Sequence, residues 1–349
     1  MRLVRYLLSF ILFAVTLPLA LAQTFTVIHT FSGGADGATP DTGVVDSAGN
    51  LYGTTQSGGD NNACSRQGCG TVFKLSQKNS AWVLSTLYAF TGDNDGSAPR
   101  TGLTFGPDGA LYICNSGGWT FGELIGLTIP DLELPPDHSG GRIERIDIDS
   151  GKVEVLYTEC DGHALIGPND IVFDAYGGMW FTDHGRRQGR VQHVGAIYYA
   201  QPDGSSIREV VFPSDAPNGI GLSPDGTRLY AAETHTGRVY AWNVTGPGEV
   251  ERNAAGAAGA LLCGLPGMQL FDSLGVDADG NVVVATLVTG ALTVISPAGE
   301  VLDQALTGDP MTTNVCWGGP DLRTAYVTCS GTGRLISMPW PRPGLKLNY

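Results

Sequence analysis

Asp41, Asn169, Asn218, Asp272 and Asn314 each follow a residue that opens a strand-like run: Pro40, Pro168, Pro217, Phe271 and Thr313. A sixth run opens with Pro99 and places Arg100 or Thr101 at the same point. Five of the six positions therefore carry a carboxylate or an amide. One such residue says little, because Asn and Asp commonly begin strands and cap turns. Five at one register, brought to a common centre, supply converging oxygen ligands without imidazole or thiolate. That donor set suits a hard cation: Ca²⁺ first, with Mg²⁺, Mn²⁺ or Zn²⁺ as alternatives. The bland counterpart is a polar ring satisfied by water and hydrogen bonds.

The elements that position these residues repeat. Pro40-Asp41 leads through a valine-rich run to the turn Asp46-Ser47-Ala48-Gly49-Asn50 and then Leu51-Tyr52. Pro168-Asn169 leads to Gly177-Gly178 and Met179-Trp180-Phe181, and Pro217-Asn218 to Pro224-Asp225-Gly226 and Leu229-Tyr230. Phe271-Asp272, Pro99-Arg100 and Thr313-Asn314 start three more units of the same kind, the second with one extra residue. Each unit is strand, Gly-containing turn, strand: a β-hairpin. Second hairpins lie between them, marked by Gly141-Arg142-Ile143, Gly195-Ala196-Ile197 and Gly290-Ala291-Leu292. Two hairpins make a four-stranded blade, so the pattern predicts an all-β, six-bladed β-propeller with the opening residues at one mouth of its channel. The last unit lacks an outermost strand, and 24–31 is strand-like with no hairpin of its own. The N-terminal strand is therefore expected to close the last blade and cover its open edge.

Composition agrees: 50 Gly and 20 Pro beside 42% hydrophobic residues suit many short strands joined by tight turns. Residues 1–22 form a leader, with Arg2 and Arg5, an apolar run and Ala20-Leu21-Ala22. They predict a cleaved secretory signal, a start at Gln23, and a secreted or periplasmic protein in which 23–349 is a single domain. Removing Arg2 and Arg5 takes the net charge from −14 to about −16. This balance argues against nucleic acid and, after cleavage, against an anionic membrane as partner. Export permits a Cys64–Cys69 disulfide, while Cys114, Cys316 and Cys329 read as buried thiols. No Gly-x-Ser-x-Gly elbow, phosphate loop or dinucleotide fingerprint is present. Nothing in the sequence sets the oligomeric state.

Residues from about 107 to 340 resemble the gluconolactonase and regucalcin (senescence marker protein, luciferin-regenerating-enzyme-like) family of six-bladed propellers. The resemblance rests on Gly167-Pro168-Asn169-Asp170 with Phe173-Asp174, Pro217-Asn218-Gly219-Ile220 with Ser223-Pro224-Asp225-Gly226, Asp272-Ser273-Leu274, and Thr312-Thr313-Asn314 with Gly318-Gly319. It implies hydrolysis of a small lactone, with a divalent cation held at Asn218, Asp272 and a first-blade glutamate. It also implies Asn169 at metal or substrate and Asp272 as general base. Asp170 and Asn314 are expected to contact substrate, and Asp183 to stand behind the site. Two departures stand out. Asp41, one methylene shorter, falls where the glutamate would be, and Gly167 where regucalcins place an arginine. Residues 29–105 resemble instead a repeat of bacterial exported proteins. His163, His184 and His235 are loop candidates for proton carriers, each more simply read as a solvated histidine. The competing function is a non-catalytic, Ca²⁺-stabilised propeller with a degenerate site.

Overall fold

The computed structural model describes residues 24–348 apart from 61, 93 and 132; the leader lies outside the described residues. Six antiparallel sheets, five of four strands and one of five, follow one another along the described chain. The innermost strands are Ala38–Val45, Pro99–Phe105, Pro168–Phe173, Pro217–Leu222, Leu270–Val276 and Thr312–Gly318, one in each of blades 1 to 6. The expected ring closure holds. Thr26–Thr30 runs antiparallel to Arg334–Pro339, Thr26 opposite Ser337 and Thr30 opposite Arg334. Pairing gives that last strand its missing neighbour, so sheet 6 joins both ends of the described chain.

The repeated turn residues each do the same work. Asp46 accepts backbone N–H bonds from Ala48 and Asn50, Asp174 from Tyr176 and Gly178, and Asp277 from Asp279 and Asn281. A short carboxylate thus closes each hairpin on itself. Six apolar clusters fill the seams between neighbouring blades. Tyr112 and Ile143 of blade 2 pack with Phe173 and Phe181 of blade 3, and Val283 and Val294 of blade 5 with Val327 and Ile336 of blade 6. Phe31, just beyond the N-terminal strand, fills the seam between blades 6 and 1 with Phe73 and Leu335.

Entry prolines fit against glycines of the preceding blade. A Cβ on Gly141 would meet Pro168 Cδ at 2.4 Å, and one on Gly195 would meet Pro217 Cδ at 2.3 Å. In these two blades the Gly that marks the second hairpin and the Pro that opens the next blade are two halves of one contact, whereas Gly290 abuts the backbone of Asp309. Each innermost strand bulges just after its opening residue. Pro40 pairs with Thr55 but Thr42 with Thr54, and Phe271 pairs with Thr286 but Leu274 with Val284. The bulge sets two successive residues opposite one partner and re-aims their side chains.

Candidate functional site

The bulge register sorts the polar residues into two tiers. Asp41, Asn169, Asn218 and Asp272 occupy its first position in blades 1, 3, 4 and 5. In blade 6, Thr312 pairs with Cys329 and Asn314 with Thr328, which gives that position to Thr313. The expected equivalence of Asn314 is therefore corrected by one residue: Asn314 is second, alongside Thr42, Asp170 and Ser273. Thr313 turns its hydroxyl onto the backbone carbonyl of Asp41, 3.3 Å away. In blade 2 three residues, 100–102, stand opposite Cys114. Gly102 is needed there, since a Cβ would lie 2.6 Å from the carbonyl oxygen of Asn169.

Second-tier residues face the channel below. A cavity of about 1060 Å³ runs to the opposite mouth, lined by Asp170, Ser273 and Asn314 at one end and by residues 345–348 at the other. Asp170 is a hub of the inner strands. Its Oδ1 accepts from Ile171 N (2.8 Å) and its Oδ2 from Ile220 N (3.2 Å) and Ser273 Oγ (2.6 Å). Burial raises its carboxyl to about 7. Asn314 donates to Thr42 Oγ1 at 3.1 Å. Asp183 accepts three backbone bonds, from Ile166, Gly167 and Gly185, and so anchors the entry to blade 3.

First-tier acids meet at the other mouth. Asp41, Asn218 and Asp272 are at most 3% exposed. Both carboxylate oxygens of Asp41, Oδ1 of Asn218 and Oδ1 of Asp272 are buried without a hydrogen-bond partner. Asn218 Nδ2 donates to Thr234 Oγ1 at 3.0 Å, which leaves its oxygen for the axis. Burial lifts both carboxyls well above their usual range; Asp272 raises Asp41 further, and Arg100 works against the rise in both. The guanidinium of Arg100 is the cation already beside them. Its Nε lies 3.9 Å from Asp41 Oδ2, and its Nη1 donates to Gln56 Oε1 at 3.1 Å.

Unpaired buried acceptors are costly, about 1–3 kcal/mol each and more when charged. Four of them, all oxygen and from three blades, fit a hard cation. Among the described residues no cluster of three or more His, Cys, Asp or Glu forms. The fitting set is two carboxylates with amides, not a zinc-type group.

A roof covers this mouth. Residues 116–141 of blade 2 carry the hairpin Phe121–Leu124 with Leu127–Pro130. They bond Gln67 of blade 1 through Phe121, Gly331 of blade 6 through Thr128, and Arg187 of blade 3 through Leu134. Trp119 hangs from the roof against Arg100 and Arg186. His184 is half-buried, its ring 5.5 Å from that of His235; burial, then Arg100, lowers its pKa. His235 pairs with Asp215 at 3.0 Å, and His163 is exposed on a minor strand. Cys64 and Cys69 form the expected disulfide, Cα–Cα 5.2 Å. The sequence marks none of Gln56, Trp119 and Arg186 as part of this group; the nearest local mark is the loop Gly117-Gly118-Trp119.

Comparison with known proteins places the chain. The model of the SMP-30/Gluconolactonase/LRE-like region matches residues 84–331, beginning earlier and ending sooner than 107–340. Lactonase drp35 of Staphylococcus epidermidis is 27% identical over 238 residues, covering 68% of this chain and 63% of that protein. Lactonase drp35 of Staphylococcus haemolyticus is 29% identical over 185 residues, 53% of each chain. The chain thus spans between half and two thirds of these relatives. Among solved structures, a Xanthomonas campestris gluconolactonase superposes with a TM-score of 0.61 at 19% identity, covering 88% of both chains. Regucalcin of Agrobacterium tumefaciens, described as a calcium-binding protein, gives 0.63 at 15% identity over 93% of this chain and 98% of its own. At such identities the superpositions speak for the propeller fold, and the family match over most of the sequence adds kinship: the chain belongs to the SMP-30/Gluconolactonase/LRE-like family.

Proposed function

We propose that the protein hydrolyses lactones at the roofed mouth, using a divalent cation, Ca²⁺ in first place, held by Asp41, Asn218 and Asp272 with Asn169 beside them. The observation that carries this reading is the set of four buried, unpartnered oxygens on Asp41, Asn218 and Asp272. The Staphylococcus relatives named lactonase support it. When bound, such a cation polarises the lactone carbonyl and offsets the charge that develops on its oxygen. Asp272 takes a proton from the attacking water. The water oxygen bonds to the carbonyl carbon, the ring C–O bond breaks, and the leaving oxygen takes up a proton. The product is an open hydroxy acid. Arg100 tempers the repulsion between Asp41 and Asp272, and the roof keeps bulk water from the site. Asp170 and Asn314, one position further along their strands, line the channel below.

The test is a lactone panel with Ca²⁺, Mg²⁺ and Mn²⁺. Hydrolysis above background that is lost in Asp272→Ala is expected; activity indifferent to that substitution overturns the assignment. One observation favours a second reading: Arg100 already gives the acids a counter-charge. A structural Ca²⁺ site in a non-catalytic propeller would then raise Tm with no turnover of any lactone. Export belongs to the same proposal, supported by the leader at 1–22 and the Cys64–Cys69 disulfide.

A further inference from the structure

The roofed mouth holds a second charge pattern that the hydrolytic reading does not use. The guanidinium carbons of Arg186 and Arg100 lie 3.6 Å and 4.6 Å from the centre of the Trp119 ring. Arg186 is 2% exposed and Arg100 7%. In both, Nε is buried without an acceptor. Arg100 has Asp41 nearby, but none of the ion pairs among the described residues involves Arg186. Its two bonds go to neutral roof carbonyls, Nη1 to Gly118 at 2.9 Å and Nη2 to Glu133 at 3.1 Å.

A guanidinium buried without a carboxylate in direct contact is costly, because its desolvation is poorly repaid. Burial, followed by repulsion from Arg100, lowers Arg186 to about 9; Asp131 and Asp183 offset this only in part, and neither forms an ion pair with it. Asp183, the nearby acid of blade 3, already accepts three backbone N–H groups. What its Nε edge lacks is an anion in direct contact. Arginine offers five donors in a rigid fork, and its Nε edge is the side that takes a carboxylate through two parallel bonds. The indole fixes the plane of that fork.

We propose that Arg186, backed by Arg100 and Trp119, receives a carboxylate of the ligand, so that the preferred substrate is a lactone carrying a free carboxylate, the monolactone of a dicarboxylic sugar acid. The word substrate rests on the hydrolytic reading; the anion site does not.

A matched pair of probes tests this: the γ-lactones of glucaric and gluconic acid, which differ by a carboxylate in place of a primary alcohol. The readout is the ratio of their kcat/KM values in wild type, Arg186→Gln and Arg186→Lys, with Tm as folding control. Wild type is expected to favour the carboxylated lactone at least about tenfold, from a charge-assisted bond, and Arg186→Gln to erase the preference. Arg186→Lys keeps part of it. An arginine that merely clamps the roof would change both substrates alike and leave the ratio untouched, which overturns the proposal. So does a wild type indifferent to the carboxylate. Calorimetric titration of unmodified protein with glucarate and with glucitol, which lacks any carboxylate, covers the case of variants that do not fold. Tighter glucarate binding without hydrolysis of either lactone keeps the anion site and removes the lactonase reading. Equal hydrolysis and equal binding of the two does the reverse.

Discussion

Asp41 and Asp272 are two acids buried within each other's field, with one arginine to temper them. Residues in that position are held by what is brought to them. Replacing Asp272 by Asn keeps its shape and removes a charge and a base. Lactone hydrolysis should fall by roughly 10²-fold or more, with weaker cation binding seen by calorimetry. Arg100 competes with a bound cation through charge alone. Arg100→Gln should therefore tighten Ca²⁺ binding by about tenfold, an effect of order 1 kcal/mol at close range in a partly screened site. Looser binding in that variant would mean that Arg100 supports the cation. The aspartate and the amides could be read from the chain because each follows a proline or other opening residue at a recurring place. Arg186 could not, because its partner Trp119 is far away in sequence and reaches it only when the roof folds over.

At the scale of the strand, the third strand of blade 2 carries a buried acid, Glu144, which accepts from Asn115 Nδ2 at 3.0 Å. Burial pushes it up to about 8. A folded pKa above the unfolded value means that the native state holds more protons between the two. Stability is full below the unfolded value near 4.5 and declines as pH rises towards about 8. Glu144→Gln should flatten that decline, so its Tm advantage over wild type should grow from pH 5 to pH 8.5; a constant difference would refute it. The inner strands of blades 4 and 5 offer a second test. A Cβ on Gly219 would meet Leu274 N at 2.3 Å, backbone against backbone. Gly219→Ala should lower stability by about 1–3 kcal/mol in denaturant unfolding. The strands themselves were legible from alternating apolar runs and Gly turns. The one-residue shift in blade 6 was not: Thr312, Thr313 and Asn314 are all polar, and only strand pairing shows which of them bulges.

At the scale of the molecule, the ring is closed by sheet pairing between its two ends. Deleting residues 24–31 exposes the edge of Arg334–Pro339 and removes Phe31 from the seam between blades 6 and 1. The shortened protein should show a lower Tm and a tendency to self-associate, measured by scanning calorimetry and light scattering. Under the proposed function, chelation of divalent ions should also lower Tm, since a ligand bound only by the folded state stabilises it by mass action.

The sequence by itself determined the propeller, its number of blades, its closure and four of the residues at one mouth. Those features repeat, and repetition writes geometry into spacing. Tertiary structure alone decided which polar residues face the mouth and which face the channel, that a roof buries the acids, and that two arginines meet one tryptophan there. These depend on bulges and on a non-repeating loop of blade 2. No local periodicity encodes them, because each is settled by contacts between blades that lie far apart along the chain.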